Sequence, residues 1–163
     1  MTAEKIIKLF AMKPLPGEGG YYIETYRAAE KIKDLPDRYE GARNFSTAIL
    51  YLITPDNFSK LHRVKSDEVF HFYLGDAVEM LTITEDGKTE TIILGTDYLK
   101  GQKPQVTVPK NIWQGTRLAA GGKFALLGCT VAPGFDFADY QQGDKELLIK
   151  QFPRLKQIIE KYI

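Results

Sequence analysis

The chain has 163 residues, 44% of them apolar, and a formal net charge of +1. That is enough for one domain with a sizeable core, and its scattered Lys and Arg residues offer no basic patch for nucleic acid or an anionic membrane. The single cysteine, Cys129, excludes an internal disulfide and suits a reducing cytoplasm, and no run of about 18 apolar residues is present to span a bilayer.

In chain order, Ile6, Ile7, Leu9 and Phe10 predict a short amphipathic helix over 2–11 behind a Thr2 cap, unlike a secretory signal. Pro14, Pro16, Gly17, Gly19 and Gly20 end it. Residues 21–27 read as a strand of aromatic and β-branched residues, and 28–44 as a long polar loop with at most a helical turn. Strands follow at 45–53, 58–64, 68–74, 77–84, 89–94, 105–108, 112–118 and 123–131. Glu85-Asp86-Gly87-Lys88 is a hairpin turn between two of them. Short strands at regular spacing predict an antiparallel sandwich or barrel. Phe135, Phe137 and Tyr140 form an aromatic cluster beyond the strands. Residues 144–162 then turn helical, with Leu148, Phe152, Leu155 and Ile159 at spacings of three and four and Pro153 opening the last helix. The whole of 1–163 reads as one domain with a barrel core at about 20–135.

The chemistry concentrates at 58–75, which holds both histidines, His62 and His71, with Glu68 between them. Strand alternation puts Glu68, Phe70 and Phe72 on one face and Val69, His71 and Tyr73 on the other. Folded as a hairpin about Lys65-Ser66-Asp67, the stretch points His62 and Glu68 into the same apolar space. His71, on the opposite face, serves packing or a subunit contact. Cys129 reads as a small apolar strand residue and Asp136 as a turn or capping residue.

These residues resemble the cupin superfamily, whose first motif has the form G-x5-H-x-H-x3,4-E-x6-G. His62, Glu68 and Gly75 fall on it, and Val64 holds the place of the second histidine. In the second motif, G-x5-P-x-G-x2-H-x3-N, the proline, glycine and histidine places hold Pro109, Asn111 and Gln114. The chain is similar in more detail to the single-domain cupin-5 group. It shares Glu18-Gly19-Gly20-Tyr21-Tyr22 with Glu24-Thr25, then Ser66-Asp67-Glu68-Val69-Phe70-His71, then Gly101-Gln102 with Pro104-Gln105. Val108-Pro109 with Trp113-Gln114 and Ala132-Pro133-Gly134-Phe135-Asp136-Phe137 complete the set. The His-Pro that often precedes the first signature is Pro16-Gly17 here.

The resemblance implies an all-β double-stranded β-helix, the cupin jelly-roll barrel, with short terminal helices, assembled as a homodimer. Cupin metal sites resemble three histidines plus a glutamate. Here the corresponding donors are His62, Glu68 and Gln114, and a carboxamide is a poor ligand for metals that favour imidazole. No cofactor is therefore expected, although the set leaves room for a loosely held divalent ion. Cupin-fold sugar epimerases resemble the arrangement of a lone histidine without metal. On that basis His62 and Glu68 are the catalytic pair for isomerase- or epimerase-like proton transfer on a sugar-like or keto metabolite. Gln114, Thr47, Tyr51, Phe70, Phe72 and Trp113 are the substrate-binding set. A metabolite sensor or carrier is the alternative from another class, and a metal-dependent enzyme the third.

Overall fold

A computed structural model describes residues 1–163. Its frame is two antiparallel sheets facing one another. The larger contains β1 (Lys13–Pro14), β2 (Tyr21–Arg27), β5 (Thr47–Ile53), β12 (Ala125–Ala132), β7 (Asp67–Gly75) and β10 (Gln105–Val108), side by side in that order. The smaller runs β13 (Tyr140–Gln142), β6 (Ser59–Val64), β11 (Trp113–Leu118), β8 (Val78–Ile83) and β9 (Thr89–Leu94). A separate ribbon pairs β3 (Lys31–Ile32) with β4 (Arg43–Asn44). This is a jelly roll, as the strand pattern and the resemblance predict.

One local expectation is corrected. The stretch 58–75 is not a hairpin: β6 belongs to the smaller sheet and β7 to the larger. The turn at 65–66 is a corner at which the chain crosses the barrel, so His62 and Glu68 approach from facing sheets. Turn chemistry looks the same in both cases, because the choice between pairing and crossing lies with distant partners. β7 is flanked by β12 and β10, and β6 by β11 and β13. By contrast, the Asp-Gly turn at 86–87 does join a true hairpin, with Val78 to Ile83 paired against Leu94 to Thr89.

Between the sheets, Ile53, Phe70, Val78, Met80, Leu127 and Val131 form the inner core. Each sheet also covers its outer face. On the smaller one, Leu61, Leu81, Ile83 and Trp113 point outward under Leu148, Phe152 and Ile159. Those last residues come from α2 (Lys145–Gln151), a one-turn 3-10 helix opened by Pro153, and α3 (Lys156–Ile159), so the helical tail is broken at the proline. On the larger sheet, Leu52 and Leu126 pack beneath Ala3 and Ile6 of α1 (Ala3–Leu9), whose cap is the Thr2 hydroxyl accepting from Lys5 N.

Candidate functional site

The register of β6 against β11 sets Gln114 directly opposite His62. Alternation then turns both inward, while their neighbours Leu61 and Trp113 turn out to the helical side. From the facing sheet, Glu68 at the start of β7 reaches the same point. The Gln114 amide nitrogen bridges the two, donating to His62 Nε2 at 2.9 Å and to Glu68 Oε2 at 3.2 Å. His62 Nδ1 lies 2.8 Å from the Lys60 carbonyl, which can only accept. The proton therefore sits on Nδ1, and Nε2 is the acceptor that the amide requires. All three side chains are buried.

A fourth polar group joins them. Glu18 stands on the strap between β1 and β2, with one oxygen accepting from the Ser59 hydroxyl at 2.9 Å and the other 3.8 Å from His62 Nε2. The strap is pinned by Gly20 N donating to Asn57 Oδ1 (2.7 Å), by the Tyr51 hydroxyl donating to the Gly19 carbonyl (2.8 Å) and by Lys60 N donating to the Glu18 carbonyl (2.9 Å). Gly19 and Gly20 have φ of +98° and +72°, and a Cβ on either would strike the Phe58 carbonyl or the Tyr51 ring. The glycine pair is what lets the strap lie flat enough for Glu18 to look inward. In the sequence this segment carries a family signature, and its local signal is a carboxylate directly before two glycines that no side chain could replace.

Beside this network lies a cavity of about 340 Å³, at the small end of ligand-pocket sizes. Of the residues anticipated, Thr47, Tyr51, Glu68 and Phe70 line it. Thr47 and Tyr51 share the inner face of β5 with Ile49. His62 and Gln114 are not on its wall: they stand behind Glu68, which the Gln114 amide holds. Phe72, two residues further along β7, packs against the inner core. Trp113 is in the outer core, because it neighbours Gln114 on a strand and must face the other way. His71 is on the outer side of β7, its ring nitrogens 3.0 Å from Gln105 Nε2 and 3.3 Å from the Thr130 hydroxyl. Cys129, besides being a strand residue, contributes to the cavity wall with its thiol 3.8 Å from Glu68 Oε1.

Burial dominates the electrostatics. Loss of water raises the Glu68 carboxyl from its ordinary value near 4.5 to about 7. The His62 ring opposes that rise, Glu18 adds to it, and the hydrogen bonds from Gln114 and Cys129 oppose it. Burial and the nearby Glu18 carboxylate also push the Tyr51 hydroxyl well up, and burial with Glu68 does the same to the Cys129 thiol. The Tyr140 ring stacks on His62 with centroids 5.2 Å apart, and its hydroxyl is likewise raised by burial and by Glu18. At about 7, the Glu68 carboxyl has both protonation states accessible near neutral pH.

The donor set does not fit a transition-metal ion. The Gln114 NH2 occupies the point between His62 Nε2 and Glu68 that an ion shared by them would need, and Val64 is apolar. No three His, Cys, Asp or Glu side chains are arranged to hold a metal.

Two facing sheets closed around a core, with a polar cluster where the two motif segments meet, define a jelly roll of the cupin type. Residues 4–142 match the family Cupin_5, described as Cupin superfamily (DUF985), and the chain belongs to that family. A protein of Saccharomyces cerevisiae, uncharacterized protein YML079W, is 30% identical over 143 residues, spanning 80% of this chain and 71% of its own. A hypothetical protein from Leishmania major superposes with a TM-score of 0.92 at 30% identity, covering 99% of this chain and 98% of that one. Protein SO0799 from Shewanella oneidensis gives 0.88 at 30% identity, covering 99% and 97%. Oxalate decarboxylase from Bacillus subtilis matches at 0.57 with 16% identity, over 94% of this chain and 38% of its own, a likeness of fold alone. No helix of the chain is long and apolar enough to cross a membrane.

Proposed function

We propose that the protein takes a small metabolite into the cavity between its sheets and moves a proton on it, as an isomerase or epimerase does. The observation that carries this reading is the Glu68 carboxyl, held at about 7 in the wall of an otherwise largely apolar cavity. A group poised near the working pH both donates and accepts protons efficiently. Glu18, on the same cavity and not bound to any cation in contact with it, supplies a second carboxyl for the opposite transfer. His62 acts through others: its Nε2 fixes the Gln114 amide, and the amide fixes Glu68. In this reading His62 is a positioning residue, and of the catalytic pair expected from the sequence Glu68 is the one that moves the proton.

Hydrogen exchange tests this. Keto sugars, keto acids, amino sugars and amino ketones are incubated with the protein in deuterated water, and loss of carbon-bound proton signal is followed by NMR. Exchange is expected for at least one compound. Glu68→Gln should lower its rate by at least 10²-fold without abolishing binding, since general acid–base groups contribute factors of about 10²–10⁴. Binding without exchange in any compound would instead support a carrier or sensor. The feature favouring that second reading is that His62 is shut off from the cavity with both ring nitrogens engaged.

A further inference from the structure

The side chains around the cavity are unbalanced in charge. Glu18, Glu24, Glu68 and Asp136 line it, against a single cation, Arg27. That cation is already committed. Its Nε and Nη2 donate to the two Glu24 oxygens at 3.0 and 2.6 Å, and its Nη1 donates to Asn44 Oδ1 and the Phe135 carbonyl at 3.0 and 3.2 Å. A bidentate pair of this kind leaves no fork free to receive a carboxylate or phosphate. The excess negative charge therefore belongs to Glu18 inside, joined by Glu68 when it is ionised, and to Asp136 at the rim.

The rest of the wall is aromatic. Tyr22, Tyr51 and Phe70 lie within, and Phe135 and Phe137 meet edge to face at the rim with centroids 5.1 Å apart. Ring faces are electronegative, so a wall of aromatic side chains interspersed with carboxyl groups suits an organic cation. A bare metal ion is a poor occupant, because the acidic groups do not converge in threes. The positive charge has to be carried on a body that fills the apolar part of the cavity.

We infer that the ligand of this cavity is a small organic cation: a protonated amine on an apolar or ring-shaped body, without a carboxylate or phosphate. This rests on the cavity being the ligand site of the proposed function, and it narrows that reading by removing keto acids and sugar phosphates from the substrate class. The amine lies between Glu18 and Glu68, the body against Phe70 and Tyr51, and the rim rings close over it.

Three probes that share one ring and differ in the head test the inference: 2-phenylethylamine, 2-phenylethanol and phenylacetate, titrated calorimetrically at pH 7.5 in about 0.1 M salt, where exposed charges are partly screened. The amine is expected to bind at least about tenfold more tightly than the alcohol, and the acid more weakly than either. Glu18→Gln should weaken the amine several-fold more than the alcohol, narrowing the gap between them while Glu68 keeps part of it. Glu24→Gln, at the exposed rim, should free Arg27 and strengthen phenylacetate binding. Equal binding of amine and alcohol would overturn the charge argument while leaving the cavity as a ligand site. Tightest binding by the acid, or an unaltered response to acid in Glu24→Gln, would overturn it too. Binding by none of the three would remove both this inference and the cavity reading beneath it.

Discussion

At the scale of single residues, Glu68 ties the candidate chemistry to stability. Its carboxyl titrates near 4.5 when exposed and near 7 in the fold, so between those values the folded chain holds a proton that the unfolded chain has released. The unfolding free energy then falls as pH rises through that window and levels off above it. The loss amounts to roughly 3 kcal/mol at most. Glu68→Gln removes the titrating group and keeps the shape. Relative to wild type, the variant is expected to gain stability progressively from about pH 5 to pH 7.5 in urea melts. If the two proteins show a constant difference over that range, Glu68 does not titrate as described. Gln114 was legible beforehand as the amide in a histidine place, and Glu68 as the motif carboxylate. Glu18 was not read as a site residue, because nothing local shows that the strap at 15–20 bends over the barrel. That requires Asn57 and Tyr51, which lie more than thirty residues away.

At the scale of elements, the long segment 28–44 shows how a buried group can organise what the sequence presents as loop. Arg43, at the start of β4, donates to both Asp139 oxygens at 2.6 and 2.8 Å and turns its remaining nitrogen onto the carbonyls of Glu40, Gly41 and Ala42. Lys65 Nζ stands 4.0 Å from the same carboxylate, and the Tyr39 hydroxyl meets the Lys65 carbonyl and Ser66 at the corner between β6 and β7. The pair thus joins the β3–β4 ribbon to the turn that leads into β13, next to Tyr140 on His62. Opposite charges so far apart in sequence leave no periodic trace, whereas the strands on either side alternate and were readable. Asp139→Asn strands a buried guanidinium and is expected to cost on the order of 3 kcal/mol in chemical denaturation. Arg43→Lys should cost nearly as much, since an ammonium cannot reach the carboxylate and three carbonyls together. Full stability in Arg43→Lys would mean that the guanidinium geometry is not what holds the segment.

At the scale of the whole molecule, the two sheets separate the site from the outer cores. The smaller sheet is covered on both sides: its inner face meets the polar network and the inner core, and its outer face holds Trp113, the sole tryptophan, under α2 and α3. Arg63 lies over that indole at 4.6 Å, and Phe152 closes the cluster nearby. One sheet of backbone therefore lies between the only indole and any ligand. Truncating Phe152 to Ala opens a hole on the helical side and is expected to cost about 3–5 kcal/mol. It should also shift Trp113 emission to the red as water reaches the ring. The difference in pH-dependent stability between wild type and Glu68→Gln should persist in the Phe152→Ala background, because groups well separated and without shared partners contribute additively. Conversely, a ligand that fills the cavity should raise the melting temperature while leaving the emission maximum in place. A ligand-induced shift of Trp113 as large as that from Phe152→Ala would mean that the smaller sheet transmits events in the cavity to the helical layer.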